Sequence, residues 1–218
     1  MKQENKKNLY AALCLLAAFA LWTAAVQLVD IQPIGPQNSA VGFATINTYF
    51  HNLTGVHMSL YTITDWLSVI PLCFVMGFGM LGLTQWIRRK HFRKVDYSIL
   101  VLGGFYIVVL AAFLFFEVYV INYRPVLING VLEASYPSST TMLVMCVMIT
   151  AMMQLQEQVR NKIRRRWILS GITVFTLFMV IGRLVSGVHW LTDIVGGALL
   201  SMGLVLLYRF ISSLEVIK

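Results

Sequence analysis

Charged residues are scarce in this sequence. Asp, Glu, Lys and Arg together make up 12% of its 218 residues, whereas 58% are hydrophobic and the mean hydropathy is +0.75. Soluble domains carry about twice this charged fraction, roughly 25%. A single core of this size also has too little volume to bury so much apolar surface. A water-soluble globular fold is therefore excluded, and the chain is predicted to be solvated by lipid.

Cysteine is also scarce. Cys14, Cys73 and Cys146 all fall inside long apolar runs, with neither metal-ligand spacing nor a second ligand nearby. Cysteines in such positions usually behave as small buried hydrophobic residues. The sequence therefore predicts buried thiols, no metal site and no other cofactor.

The apolar residues form long continuous runs. In lipid the backbone polar groups must be hydrogen-bonded inside the protein, which leaves helices or a closed barrel. Barrel strands would alternate apolar and polar residues, whereas these runs approach the roughly 20 residues of a spanning helix. The fold class is predicted to be all-α, a polytopic membrane protein forming one membrane domain over residues 1–218. The six predicted transmembrane helices are Leu9–Val29, Trp66–Ile87, Tyr97–Val120, Thr140–Leu155, Trp167–Val185 and Leu191–Ile211.

Lysine and arginine cluster between particular spans. Lys2, Lys6 and Lys7 precede the first span, residues 88–94 separate the second from the third, and residues 160–166 separate the fourth from the fifth. With six spans these segments share one side, and the positive-inside rule makes that side cytoplasmic. Both termini are therefore predicted to be cytoplasmic in the cell membrane. Topology and anionic lipid headgroups explain the net charge of +8, so nucleic-acid binding is not expected.

Only two basic residues, Arg124 and Arg183, fall on the opposite side. Ionisable residues that lie at the membrane boundary against the topological trend indicate function. The same outer ends carry four further titratable residues: Glu117, Glu133, His189 and Asp193. The sequence therefore predicts a polar site at the extracytoplasmic face.

The longest connection, Asp30–Asp65, is predicted to lie on this outer side. It contains no lysine or arginine and several aromatic residues. Its middle, Ala40–Leu53, mixes apolar and polar positions and is predicted to form a helix in the membrane interface. Two roles are open for this segment, a cover over the outer site and interfacial anchoring by aromatic side chains.

The spacing of Arg183, His189 and Asp193 has a specific chemical meaning. His189 and Asp193 are four residues apart, so on a continuing helix they share a face and the carboxylate accepts from one imidazole N–H. The other ring nitrogen is then basic, as a nucleophile or general base requires. The planar guanidinium group of Arg183 carries several N–H donors in a fixed geometry that suits phosphate oxygens.

Two further outer segments are suited to an anion. Arg124-Pro125 follows the third span, and Pro137 precedes the fourth. The fourth helix is predicted to open at three hydroxyl residues, Ser138, Ser139 and Thr140. Helix starts have unpaired N–H groups that attract anions, and hydroxyls add donors. Together with His189, these residues predict phosphoryl transfer through histidine without a metal.

The order and spacing of these residues resemble the type 2 phosphatidic acid phosphatase (PAP2) superfamily of membrane lipid phosphate phosphatases. Its motifs are a lysine six residues before Arg-Pro, then Pro-Ser-Gly-His, then Ser-Arg, five residues, His, three residues and Asp. The matching residues are Arg124, Pro125, Pro137, Ser138, Arg183, His189 and Asp193. The resemblance covers a phosphatase-like core, residues 117–193. It implies six helices, a phosphohistidine intermediate, and lipid-linked phosphate substrates.

The sequence departs from the family motifs at four positions. Glu117 stands where the family has lysine, Ser139 replaces glycine, Thr140 replaces the second histidine, and Gly182 replaces serine. The family's second histidine donates a proton to the leaving group, which a threonine hydroxyl is too weakly acidic to do. Glu117 brings a negative charge to a phosphate site, unless it is protonated or pairs with Arg124.

These departures bear on the substrate. A diphosphate leaves as a phosphate monoester and needs little protonation, whereas phosphatidate must leave as an alkoxide-like group. The sequence therefore favours a polyprenyl diphosphate, such as the undecaprenyl carrier of a bacterial envelope, as the lipid partner within the membrane. Two alternatives stay open. One is a phosphatidate or phosphatidylglycerophosphate phosphatase, and the other is a catalytically impaired protein that binds or transports a lipid phosphate.

Overall fold

The computed structural model describes residues 2–214, and within that range the chain forms eight α-helices and no β-strand. Short 3₁₀ helices lie at Pro36–Asn38 and Phe92–Lys94. The α-helices are α1 (Lys2–Leu28), α2 (Ala44–Thr54), α3 (Met58–Leu67), α4 (Val69–Arg89), α5 (Tyr97–Val118), α6 (Ser139–Gln158), α7 (Lys162–Val185) and α8 (Leu191–Ser212). The predicted all-α fold is confirmed.

Six stretches of the described chain are long and apolar enough to cross a membrane. They are Asn5–Leu28, Met58–Arg89, Tyr97–Val118, Ser139–Gln158, Lys162–Val185 and Leu191–Ser212. Each contains or overlaps one of the predicted spans, so the predicted number of membrane helices is confirmed.

The second span begins earlier than predicted. The prediction placed its start at Trp66, but α3 begins at Met58 and runs into α4 through Ser68, whose backbone is itself helical. Polar residues interrupt the apolar run here, which made residues 58–65 look like a loop. Thr64 is fully buried and Asp65 lies 3.2 Å from Arg183. These side chains therefore face protein partners, and the helix can continue.

The central helices of the bundle are α6 and α8. They pack against each other, with α1 on the far side of α8 and α7 beside α6. Gln154, a polar residue in the fourth predicted span, is buried and donates to the Tyr208 hydroxyl of α8 at 2.7 Å. Because its amide is satisfied inside the bundle, this residue is compatible with a spanning helix.

The connection Asp30–Asp65 contains the predicted helix, observed as α2, which packs on the start of α8. Asn47 donates to the Thr192 hydroxyl at 3.0 Å, and the His57 N–H donates to the Ser186 carbonyl at 2.9 Å. This segment therefore covers the turn between α7 and α8.

The prediction of three buried cysteines is wrong for two of them. Cys146 is buried, but Cys14 and Cys73 are exposed on the outward sides of α1 and α4. Apolar residues suit both the lipid-facing side and the interior of a membrane bundle, so composition alone does not separate the two environments.

Candidate active site

His189 lies in the turn between α7 and α8 and is only 3% exposed. Gly187 shapes this turn. Its φ of +68° is left-handed, and a Cβ there would lie 1.9 Å from the Gly55 carbonyl oxygen. Only glycine meets both conditions, so the turn is held against the α2–α3 connection. The backbone therefore fixes the position of His189.

Asp193 does not share a helix face with His189, contrary to the prediction. Helix α8 begins at Leu191, so His189 precedes it, whereas Asp193 lies in its first turn and accepts from the Trp190 N–H at 2.8 Å. Asp193 Oδ2 lies 3.7 Å from His189 Nδ1, beyond hydrogen-bond distance. The carboxylate therefore acts on the ring through another group.

That group is Ser135, which the sequence analysis did not identify. Its hydroxyl donates to Asp193 Oδ2 at 2.5 Å and lies 3.0 Å from His189 Nδ1. Because the Ser135 hydroxyl donates its hydrogen bond to Asp193, the hydroxyl oxygen can accept a hydrogen bond from the Nδ1–H of His189. The sequence offered one signal for Ser135: it lies two residues before Pro137, the first residue of the second motif.

The environment of His189 favours the neutral ring. Its pKa is lowered from 6.5 to about 4, chiefly by burial; the positive charges of Arg124 and Arg183 act in the same direction, and the Asp193 carboxylate opposes them. Among the described residues, none bonds its buried Nε2 atom. Since the Nδ1 proton is directed to Ser135, Nε2 carries the lone pair at neutral pH. A buried, neutral imidazole of this kind can act as a nucleophile.

A hairpin-like loop after α5 presents both Arg124 and Ser135. Tyr123 and Ala134 form an isolated antiparallel bridge, and the Trp190 indole N–H donates to the Tyr123 carbonyl at 2.8 Å. The backbone N–H of Ser135 donates to the Asn122 carbonyl at 2.9 Å. The loop is thereby tied to the start of α8, which brings its two functional side chains to His189.

The ion-pair partner of Arg124 is Glu133, and the alternative that paired it with Glu117 is wrong. Arg124 Nε lies 3.1 Å from Glu133 Oε2. Glu117 is exposed and lines a separate small pocket beside Tyr136. Arg124 is itself buried, and within residues 2–214 its Nη1 atom has no hydrogen-bond partner.

Arg183 is held by residues from α3 and α6. Its Nη2 atom donates to Thr140 Oγ1 at 2.5 Å and to Asp65 Oδ1 at 3.2 Å. The guanidinium carbon lies 4.9 Å from the centre of the Tyr61 ring, and that of Arg124 lies 5.8 Å from the same centre. The Tyr61 ring therefore lies within cation–π distance of both positive charges.

Three residues of α3 that were not predicted from the sequence also belong to the site: Tyr61, Thr64 and Asp65. Thr64 accepts from Arg183 Nη1 at 3.4 Å. Their spacing is that of one helical face, but the segment was interpreted as a loop. Gly182 belongs to the same contact, since a Cβ there would lie 2.9 Å from Thr64 Cγ2. The departure from serine at this position therefore allows α3 to pack on α7.

The start of α6 has the predicted form. Ser138 is the N-cap, and its hydroxyl accepts from the Thr141 N–H at 3.4 Å. Thr140 is buried, and Ser139 is partly exposed. These residues bring a helix N-terminus, with its partial positive charge, to the two arginines.

A cavity of about 600 Å³ opens from this cluster into the bundle. Its polar end is lined by Asp65, Arg124, Thr140 and Arg183. The rest is apolar, with walls from α4, α5 and α6 that include Leu72, Val75, Tyr106, Leu110, Phe113 and Val147. The site is thus shaped for an amphipathic molecule. Within residues 2–214, no group of three or more His, Cys, Asp or Glu side chains is placed to hold a metal ion.

Comparisons with known proteins agree with this architecture. A crystal structure of a transmembrane PAP2-type phosphatidylglycerolphosphate phosphatase from Bacillus subtilis superposes with a TM-score of 0.61. The alignment covers 96% of this chain and 98% of that one at 18% identity, which shows a shared fold. No curated protein sequence matches the chain. The family model described as PAP2 superfamily matches residues 73–214, well over half of the chain. The resemblance in the motifs is therefore confirmed, and this chain belongs to the PAP2 superfamily.

Proposed function

We propose that this protein is a membrane lipid phosphatase that hydrolyses a lipid-linked diphosphate, preferably a polyprenyl diphosphate such as undecaprenyl diphosphate. The proposal assigns the reaction to His189 and places it at the extracytoplasmic face. The observation that carries it is the state of His189. Its Nδ1 is engaged by Ser135, no described residue bonds its Nε2, and the positive charges of Arg124 and Arg183 lie close enough to affect its pKa.

Substrate binding is assigned to the two arginines and the start of α6. Arg124 and Arg183 would take the oxygens of the terminal phosphate, and Ser138, Ser139 and Thr140 would add hydroxyl and backbone donors. The apolar cavity would hold the beginning of the lipid chain. The proposed catalytic core of residues 117–193 is thus extended by α3, because Tyr61, Thr64 and Asp65 hold Arg183 in place.

The reaction requires two displacements at phosphorus. In the first, the Nε2 lone pair of His189 attacks the terminal phosphorus, and the bond to the bridging oxygen breaks. The lipid monophosphate leaves with that electron pair. Asp193, acting through Ser135, stabilises the positive charge that the ring acquires. In the second, water attacks the phosphohistidine, releasing inorganic phosphate and restoring neutral His189.

Thr140 supports a diphosphate over a phosphate monoester. It stands where the family has its proton-donating histidine, and its oxygen accepts a hydrogen bond from Arg183. General acid catalysis is typically worth about 10²–10⁴-fold. Losing it is tolerable when the leaving group is a stable phosphate anion and severe when it resembles an alkoxide.

Two observations favour the alternatives. The structurally similar Bacillus protein is a phosphatidylglycerolphosphate phosphatase, which supports a monoester substrate. The ion pairs Arg124–Glu133 and Arg183–Asp65 reduce the positive charge available to the transferring phosphoryl group, which favours the catalytically impaired alternative.

One assay separates the diphosphatase, the monoester phosphatase and the non-catalytic protein. It measures the release of phosphate by the purified protein from a panel of lipid phosphates and diphosphates. We expect release from polyprenyl diphosphates and its loss in His189→Ala. His91→Ala, which changes an exposed histidine between α4 and α5, is the matched control and should retain activity. Faster release from phosphatidylglycerophosphate would favour the monoester alternative. Binding without release of phosphate from any substrate would contradict an enzymatic function.

A further inference from the structure

A second apolar cavity continues the first one toward the other side of the membrane. It has a volume of about 460 Å³ and lies between α4 and α5. Val75, Tyr106 and Ile107 line both cavities. The second cavity reaches Trp86 near the end of α4 and Phe92 in the connection that follows. We call the two cavities together the tail groove.

The length of the tail groove exceeds one leaflet of the bilayer. Its lining runs from Ser68, which directly precedes α4, to Trp86 near the end of that helix, and at 1.5 Å per residue this distance is about 27 Å. The hydrocarbon core of a bilayer is about 30 Å thick, so one leaflet accounts for about 15 Å. A lipid whose tails end at the midplane would fill only the outer half of the groove.

Glycines keep the inner half of the groove open. Gly79 and Gly82 lie on its α4 wall, and Gly103 and Gly104 lie on its α5 wall. A Cβ built at Gly79, Gly103 or Gly104 would meet no described atom within 4 Å. Side chains would fit at these positions without strain, so the space results from the choice of residue and not from close helix packing.

The outer end of the groove carries the feature that indicates its ligand. Arg124 and Arg183 both line it and are 8% and 2% exposed. Arg124 Nη1 and Arg183 Nε are buried without a hydrogen-bond partner in residues 2–214. Buried guanidinium N–H groups require an acceptor, and an anionic headgroup at this point would place its attached chain in the groove.

We propose that the tail groove binds the hydrocarbon chain of the substrate and selects a polyprenyl chain that passes the bilayer midplane. The inference rests on the proposed function for the identity of the headgroup, and it adds a chain-length requirement. The inner half of the groove then contributes binding energy only for long chains.

The test compares undecaprenyl diphosphate with farnesyl diphosphate, which carries the same headgroup on a short chain. Gly79→Leu and Gly103→Leu fill the inner half from opposite walls. Gly77→Leu is the matched control, because Gly77 lies on the same helix, also has nothing within 4 Å of its Cβ, and does not line the groove. For each variant, kcat/KM for phosphate release and Kd are measured with both diphosphates.

We expect the long-to-short ratio of kcat/KM and of affinity to fall about tenfold in both groove variants, since excluding two buried methylene groups costs about that factor. The ratio in Gly77→Leu should match the unmodified protein. If the long-to-short ratio is the same in the unmodified protein and all three variants, the tail groove does not bind the substrate chain. The phosphatase function would stand, and the cavity would be assigned to ordinary bilayer lipid. If the long-to-short ratio of affinities falls in Gly79→Leu and Gly103→Leu but no protein releases phosphate, the proposed function is overturned and the tail groove is supported.

Discussion

Ser135 places one hydroxyl between the two residues on which the proposed chemistry depends. It donates to Asp193 and lies within hydrogen-bond distance of His189 Nδ1, while the carboxylate and the ring are 3.7 Å apart. A ring held this way keeps its proton on Nδ1 and its lone pair on Nε2. In our account Ser135 is a positioning residue that acts through His189.

Ser135→Ala is expected to lower kcat on the order of ten- to a hundredfold, because a hydrogen bond to a charged group contributes about 1.5–3 kcal/mol. Ser135→Thr should restore much of the rate, and Ser201→Ala, which removes another buried serine hydroxyl, should have little effect. The imidazole ¹⁵N shifts of His189 give an independent readout. At pH 7 they should report a neutral ring, since its pKa is lowered to about 4, with the proton on Nδ1 only when Ser135 or Thr is present. An unchanged tautomer in Ser135→Ala would contradict the positioning role.

Thr140 allows a second test of the leaving group. Thr140→His should raise the rate of hydrolysis of a lipid monophosphate relative to a lipid diphosphate, because the imidazole would supply the missing proton donor. A general acid typically contributes about 10²–10⁴-fold, which sets the upper limit of the gain. Thr140→Val is the control, because it removes the hydrogen bond from Arg183 without adding a proton donor. Comparing the two variants separates the effect of the new imidazole from the loss of that contact. Equal rates on both substrates in the unmodified protein would show that another residue donates the proton. Asp65, which lines the cavity with Thr140, would then be the first residue to test as the proton donor.

At the scale of elements, α3 is the part of the site that the sequence analysis did not predict. Its polar residues break the hydrophobic run, and hydropathy cannot tell a polar loop from a helix whose polar face bonds to a buried arginine. The start of α6 was predicted, because Pro137 and three hydroxyl residues are local signals of an N-cap. The contacts of Arg183 with Thr64 and Asp65 could not be predicted, because they join positions that are 119 and 118 residues apart.

Asp65→Asn measures what α3 contributes to substrate binding. Asp65 partly neutralises Arg183, and its side chain is 56% exposed while that of Arg183 is 2% exposed. Solvent screens the pair from the Asp65 side, so we take its worth as about 1 kcal/mol, the upper end for exposed pairs. Removing its charge should lower KM for a lipid diphosphate by about two- to fivefold with little change in stability. Asp96→Asn is the matched control, since it breaks the exposed pair with Arg89 between α4 and α5. A higher KM in Asp65→Asn would mean that Asp65 positions Arg183 more than it competes with the substrate.

At the scale of the whole molecule, the number of spans was predictable because lipid requires long apolar helices. Which side of each helix is buried and which is exposed was not predictable, as the exposed Cys14 and Cys73 show. The residues of the second and third motifs were found from local patterns, namely the helix-start signals after Pro137 and the spacing of Arg183, His189 and Asp193. The link between them through Ser135 depends on how the loop before α6 folds against α8, which no local pattern specifies.

The orientation of the bundle is a further prediction, with the basic connections inside and the proposed site outside. Single cysteines at His91 and Val131, both exposed, can be introduced into a chain lacking Cys14, Cys73 and Cys146. A membrane-impermeant maleimide applied to intact cells should label position 131 and not position 91, because the positive-inside rule places residues 88–94 in the cytoplasm. The opposite labelling would place His189 on the cytoplasmic side and contradict the proposed orientation.

The central claim, that His189 accepts the phosphoryl group, is tested most directly by trapping the intermediate. The purified protein is mixed with a lipid diphosphate labelled with ³²P at the terminal phosphate and quenched within a turnover. The account predicts acid-labile, base-stable label on a peptide containing His189, and none in His189→Ala. Phosphate release without label on the protein, or label that persists in His189→Ala, would contradict it.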